Sequence, residues 1–181
     1  MTAVETSFLS PAKIVDSFDL PRGSVAADFG SGTGFYTMAL AKKVGPQGKV
    51  YAFDIQPHAV DLVRSSARLA HMLHVETHHA NLETPHGSRL KDAVVDFVLI
   101  ASILHQADDK PALLKEAARI TKPGRAMAMI EWDEGRSLGG PPAELRVSRG
   151  KAKELAEASG FLLDREFAAG SQHYGLLFKK R

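Results

Sequence analysis

A doubly wound α/β sheet with helices on both faces is the fold this sequence predicts, and three observations predict it. A short apolar run, Val25 to Phe29, breaks into three glycines at alternating positions and then turns helical. Strand-like and helix-like patterns alternate from there to the C-terminus. The run Val94 to Ala101 is almost wholly apolar, as expected of a central parallel strand buried on both faces. The count is seven strands, mostly parallel, with an antiparallel last strand. This is a Rossmann-like arrangement in one domain covering residues 1–181, since a chain of 181 residues falls within the ~100–200 usual for a single domain.

The elements are justified in order. At the start, Phe8-Leu-Ser10-Pro11 reads as a helix N-terminus with proline at the first helical position, so residues 1–20 form a leading helix or flap. Phe8, Ile14 and Phe18 would either cover a site or pack on the sheet. In Asp28-x-Gly30-Ser31-Gly32-x-Gly34 the glycines permit positive φ and a close ligand approach. The spacing differs from the G-x-G-x-x-G dinucleotide fingerprint. Asp28, ahead of the loop, suits a cationic ligand better than a pyrophosphate.

Lys49 to Asp54 reads as a second strand ending in an acid, with a helix opening at Pro57. An acid at the carboxyl edge of the second strand of such a sheet can grip the two hydroxyls of a ribose; the alternative is a helix N-cap. A short strand candidate then runs through Leu73 to Ala80 into the turn Asn81-Leu82-Glu83, where Asn81 also fits as a plain turn residue. After the central strand come His105 and Gln106, a helix from Lys110 to Thr121, the break Lys122-Pro123-Gly124, and a strand from Arg125 to Trp132. Residues 133–147 read as a long connection on the substrate side, leaving the ligand edge of the sheet with Trp132, Asp133 and Arg146 as candidates to touch a substrate. A helix from Ser148 to Ser159, a strand from Phe161 to Phe167 and a strand from His173 to Phe178 complete the chain. The turn between the two strands is short enough for antiparallel pairing.

The pattern D-x-G-x-G-x-G resembles motif I of class I S-adenosylmethionine-dependent methyltransferases, and the likeness spans roughly residues 10 to 180. The segment Asp96-x-Val98 to Leu104-His105 is similar to D-x-V-x-x-x-x-x-L-H-H of the ubiquinone and menaquinone C-methyltransferases, with Gln106 in place of the second histidine. The resemblance implies a loop of Asp28, Gly30, Ser31, Gly32 and Gly34 around the methionine half of S-adenosylmethionine. It also implies Asp54 on the ribose, Ile55 against the adenine, Asn81 on its exocyclic amine, and Leu82 and Ala101 in further cofactor contacts. S-adenosylhomocysteine would be the product, and no metal is required. His105, just past the fourth strand, could accept a proton from the substrate or could cap the next helix.

Composition narrows the choice. With 44% hydrophobic and 24% charged residues and no apolar run long enough to span a bilayer, the expected localisation is cytoplasmic. Zero cysteines exclude disulfides and protein-thiol chemistry. A net charge of +2 with dispersed basic residues does not demand nucleic acid, and no N/D-P-P-Y segment follows the fourth strand. His71, His74, His78 and His79 cluster in sequence, with His71 and His74 one helical turn apart, but His78 and His79 are adjacent and would face opposite sides of a strand, so convergence on a metal is not expected. The acceptor expected is a small molecule, in a site with little roof or one completed by a second subunit as a homodimer. An RNA or protein methyltransferase and a non-catalytic cofactor-binding regulator remain the alternatives, with a nicotinamide oxidoreductase further off.

Overall fold

A computed structural model describes residues 10–135 and 139–181. Seven strands form one sheet in the order β3-β2-β1-β4-β5-β7-β6, namely β1 (Val25–Phe29), β2 (Lys49–Asp54), β3 (Val75–His79), β4 (Val95–Ala101), β5 (Thr121–Trp132), β6 (Phe161–Ala168) and β7 (His173–Lys180). The ladders joining β1 to β5 are parallel, and β7 runs antiparallel to both β5 and β6. The order reverses between β1 and β4, and their carboxyl ends open the crevice where such sheets bind ligands.

Alternation along the strands builds two cores. Phe97 and Leu99 of β4 face a cluster with Ile14 and Val15 from the first helix, α1 (Pro11–Asp16), Phe18 just beyond it, and Leu40 and Val44 from α2 (Phe35–Val44). Val98 and Ile100 face the other side, with Leu113, Leu114 and Ala117 of α4 (Lys110–Ile120) and Ala152 and Ala156 of α5 (Arg149–Ala158). The remaining helix, α3 (Pro57–Leu69), follows β2. Ile14 and Phe18 are therefore core residues: the Phe18 ring lies 5.0 Å from Phe97 and 5.1 Å from Phe167. Phe8 lies outside the described residues.

Three sequence expectations need adjustment. Lys122-Pro123-Gly124 does not precede β5 but sits inside it as a bulge. The register passes from Val95 opposite Thr121 to Phe97 opposite Ala126, and Gly124 takes φ +73°. Lys122 Nζ at 2.9 Å and Arg125 Nε at 3.4 Å reach Asp96, which also accepts the Val25 N–H at 3.0 Å. Burial pushes the Asp96 carboxyl up, but these donors outweigh it and hold it below its ordinary range. Asp96 thus fastens the end of the sheet away from the crevice. The second adjustment is the connection 133–147, whose described residues include a 3₁₀ turn, Ala143–Leu145. The third concerns His71 and His74, which fall beyond the end of α3. His71 has φ +53°, and the His74 ring meets the Ala41 carbonyl at 2.9 Å.

Among the described residues no group of three or more histidine or acidic side chains converges as a metal site, and no helix is long and apolar enough to cross a membrane.

Candidate active site

The crevice holds a cleft of about 450 Å³ whose walls come from the turns after β1, β2, β3 and β4. Gly30 and Gly32 form one wall, with φ of +74° and +50°. A Cβ on Gly30 would stand 2.4 Å from the Ile103 side chain, so glycine is required there by both backbone angle and close packing. Gly34 has a different task. It caps α2, and a Cβ there would meet Val63 of α3 at 3.0 Å, so it permits helix packing and does not line the cleft.

Asp54 ends β2 on the cleft, nearly buried, and accepts the Gly32 N–H at 2.8 Å and the Gln56 N–H at 2.9 Å. The N-cap position of α3 belongs to Gln56, so Asp54 is not the helix cap. Two of a carboxylate's roughly four lone-pair sites are taken, and the rest suit a vicinal diol. Beside it Ile55 is 56% exposed at the cleft wall, an apolar surface of the kind a flat ring covers. Asn81 lies across the cleft; its Oδ1 accepts the Glu83 N–H at 2.9 Å in a local turn, and Leu82 is buried behind it. Glu83 in turn accepts the Asp109 N–H, tying the β3 turn to the N-cap of α4.

A second cavity of about 400 Å³ adjoins the loop on its other side, between Pro11, Gly30 to Thr33, Phe35, Tyr36, Ala101 and Ser102. Ala101 and Ser102 line both spaces. Two hydroxyls here, Ser31 Oγ and Tyr36 Oη, are buried with no hydrogen-bond partner among the described residues. Unpaired buried hydroxyls are uncommon and mark a place where a ligand can complete the bonding. Phe35 stands 72% exposed at this opening. Burial, with the nearby Asp28 charge second, pushes the Tyr36 phenol well above its ordinary range.

Asp28 lines neither space. It is buried under the loop on the α2 side, where it accepts the Thr37 hydroxyl at 2.6 Å, and burial pushes its carboxyl up to about 6. Any attraction it exerts on a cationic ligand acts through the loop rather than by contact.

The substrate-side candidates form a separate cluster at the end of β5. Trp132 lies 4.2 Å from the His173 ring, with the Arg146 guanidinium 5.9 Å from its own ring, and a Cβ on Gly140 would strike it at 2.5 Å. Arg146 donates to the carbonyls of Asp133, Gly139 and Pro141 at 2.8, 2.9 and 3.0 Å. Asp133 accepts from Arg149 at 2.8 Å. These three residues fold the connection over the strand end and do not line the main cleft.

His105 belongs to the segment after β4, whose Ser102, Ile103, Gln106 and Ala107 form the cleft wall; its own side chain is 8% exposed and is not among those lining either space. Its Nδ1 stands 3.0 Å from Oε2 of Glu131, a residue with no exposed surface, and Oε1 of the same carboxylate accepts the Leu104 N–H at 2.6 Å. Glu131 did not stand out in the sequence; the available signal was an acid at the end of an apolar strand. Gln106 donates to the Ser102 carbonyl at 3.0 Å while lining the cleft, and Ser102 itself has φ +56°. A non-glycine residue in that region carries strain of ~1–2 kcal/mol, which neighbouring structure must hold in place.

Comparison with known proteins identifies the family and the fold. Residues 21–167 match the family model of a methyltransferase domain. Demethylmenaquinone methyltransferase from Bacillus mycoides is 32% identical over 122 residues, which are 67% of this chain and 50% of that protein. The chain spans about half the length of the curated relatives it matches. A SAM-dependent methyltransferase from Aquifex aeolicus superposes with a TM-score of 0.87 at 29% identity, over 96% of this chain and 90% of the other. Geranyl diphosphate C-methyltransferase from Streptomyces coelicolor, solved with S-adenosyl-L-homocysteine, superposes at 0.76 over 94% of this chain and 79% of its own; at 14% identity that likeness is one of fold alone.

Proposed function

The chain belongs to the methyltransferase domain family, and from that premise we propose that it is a class I S-adenosylmethionine-dependent methyltransferase similar to the quinone-biosynthesis enzymes, passing a methyl group directly to a small, flat acceptor bearing a hydroxyl, as a quinol or phenol does. The observation that carries the reading is the pair of adjoining spaces on either side of one glycine loop, of about 450 and 400 Å³, sharing Ala101 and Ser102. The first suits a nucleoside. The second suits the amino-acid end of the cofactor and the acceptor beside it.

S-adenosylmethionine supplies, when bound, an electrophilic methyl on a sulfonium whose sulfur leaves as a neutral thioether. In this reading Asp54 holds the ribose hydroxyls, Ile55 and Leu82 pack the adenine, and Asn81 accepts from its exocyclic amine. The main chain of Gly30, Ser31 and Gly32 wraps the methionine portion, and the unpartnered Ser31 hydroxyl completes its bonding there. Phe35 and Pro11 offer an apolar edge to an aromatic acceptor, and His105 takes the acceptor's proton. Trp132, Asp133 and Arg146 shape the acceptor side by holding the connection in place. Direct transfer requires the reacting atoms ~3–3.5 Å apart in a site that favours loss of sulfonium charge. The demethylmenaquinone-acting relatives support an acceptor of this class. The same reading puts the reaction in the cytoplasm.

Titration calorimetry tests it. S-adenosylmethionine and S-adenosylhomocysteine should bind with micromolar affinity and NADH should not, after which quinols, phenols and amines are screened for methylation. Absence of cofactor binding would refute the site assignment. Binding without turnover on any of these acceptors would favour a regulator.

A further inference from the structure

We propose that Glu131 is the positioning residue of the transfer reaction, holding His105 as the Nδ1–H tautomer so that Nε2 receives the proton released by the acceptor; this rests on the function proposed above. The geometry begins with cost. A carboxylate with no exposed surface loses several kcal/mol of hydration unless its oxygens are paired. Glu131 has two partners, the Leu104 N–H at 2.6 Å and His105 Nδ1 at 3.0 Å. Both belong to the segment that leaves β4 along the cleft. The acid is therefore spent on fixing that one segment.

An ionised carboxylate only accepts, so the nitrogen facing it carries the hydrogen. That assigns the neutral imidazole its tautomer and leaves the Nε2 lone pair as the basic site. When the acceptor hydroxyl gives up its proton, the proton moves to Nε2 and the O–H electron pair stays on the acceptor, raising its nucleophilicity. The imidazolium formed is paired with Glu131, which remains ionised. Such a carboxylate–imidazole arrangement orients the base and stabilises its charged form without itself taking the proton.

The surroundings fit a proton site. His173 at the start of β7 lies within electrostatic reach of Glu131, Arg146 and His105; Tyr174, with its hydroxyl donating to Val147 O at 2.7 Å, feels Glu131, Glu134, Arg149 and Asp133. Burial holds His173 below its ordinary range, with Glu131 opposing and Arg146 and His105 adding to the shift. Burial thus disfavours the charged form of His173 beside Trp132, while the Glu131 carboxylate meets His105 Nδ1 directly.

The test reads the imidazole directly. Long-range ¹H–¹⁵N spectra of the protein saturated with S-adenosylhomocysteine, taken at alkaline pH where imidazoles are neutral, should report the Nδ1–H tautomer for His105; an Nε2–H tautomer overturns the proposal without any variant. Glu131→Gln should switch the tautomer to Nε2–H. With 1,4-dihydroxynaphthalene as the acceptor probe, it should lower kcat by ~10²-fold while leaving S-adenosylhomocysteine affinity within about twofold. Glu131→Asp should recover part of the rate. A Glu131→Gln enzyme with wild-type kcat, beside a His105→Gln enzyme that has lost it, overturns the positioning role. If the wild type leaves the probe unmethylated, the acceptor reading fails by itself. The tautomers then decide: the expected switch supports the role of Glu131, and any other pattern overturns it.

Discussion

The two halves of the ligand edge are built by different means. Over β1, β2 and β3 the cleft is made of turns whose contacts are close in sequence or fixed by parallel register: Asp54 to Gln56, Asn81 to Glu83, and Gly32 to Asp54 across adjacent strands. Over β4, β5 and β7 the chain is held by side-chain contacts, with Glu131 on His105, Trp132 on His173 and Arg146 on three carbonyls of its own connection. The first construction suits an invariant ligand gripped largely by main chain. The second lets each side chain change separately, as a specific acceptor requires. Cofactor affinity should accordingly fail on changes to one half, and acceptor use on changes to the other.

The largest effect should come from Gly30→Val. Positive φ costs an L-residue ~1–2 kcal/mol and overpacking adds ~1–3 kcal/mol, here against Ile103. Calorimetry should find S-adenosylmethionine binding lost and scanning calorimetry a lowered Tm. Normal affinity would mean that the glycine loop is not the grip. Next, Asp54→Ala removes a carboxylate bonded to two N–H groups and should weaken binding by ~1.5–3 kcal/mol, read as at least a tenfold rise in Kd. An unchanged Kd would move the ribose elsewhere.

Asp28→Asn tests the support beneath the loop through pH. The carboxyl of Asp28 sits at about 6 in the fold against 3.8 in a model peptide, so between these values the folded state holds more protons than the unfolded one. Its contribution to stability therefore falls as pH rises from about 4 to about 6 and stays at its least favourable above that. The neutral variant, still able to accept from Thr37, should be more stable than wild type at pH 7 by about 1–3 kcal/mol, with the gap closing near pH 4. Thermal melts at both pH values check the sign.

Smaller still, Arg146→Met should loosen the folded connection, raise the acceptor KM a few fold and leave S-adenosylhomocysteine affinity within about twofold, because its bonds to Asp133, Gly139 and Pro141 lie away from the main cleft. A comparable loss of cofactor affinity would erase the division between the halves.

That division also explains what the sequence made legible. The strands and the cleft residues Gly30, Gly32 and Asp54 follow from local patterns, since glycine spacing and an acid at a strand end are visible in one dimension, whereas Ile55, Asn81 and Leu82 came only with the family resemblance. Gly34 and Asp28 were readable as parts of the loop but not in their tasks. Packing against Val63 and burial beneath the loop depend on where α2 and α3 come to rest. The bulge at Thr121 to Ala126 was hidden because proline and glycine ordinarily end strands, while here the ion pairs to Asp96 hold them inside one. Glu131 gave no local sign of its partner, which lies 26 residues away on another element.

The reversal of β7 has a consequence for how this scaffold could be modified. Because β7 runs against its neighbours, the turn joining it to β6 emerges at the same rim as the carboxyl ends of β4 and β5, beside Trp132 and His173. A longer hairpin spliced in at Ala169 to Gln172 would rise at that rim without cutting any parallel crossover or altering the glycine loop after β1. The fold thus carries a ready grafting point at which acceptor choice could be rebuilt by exchanging one turn.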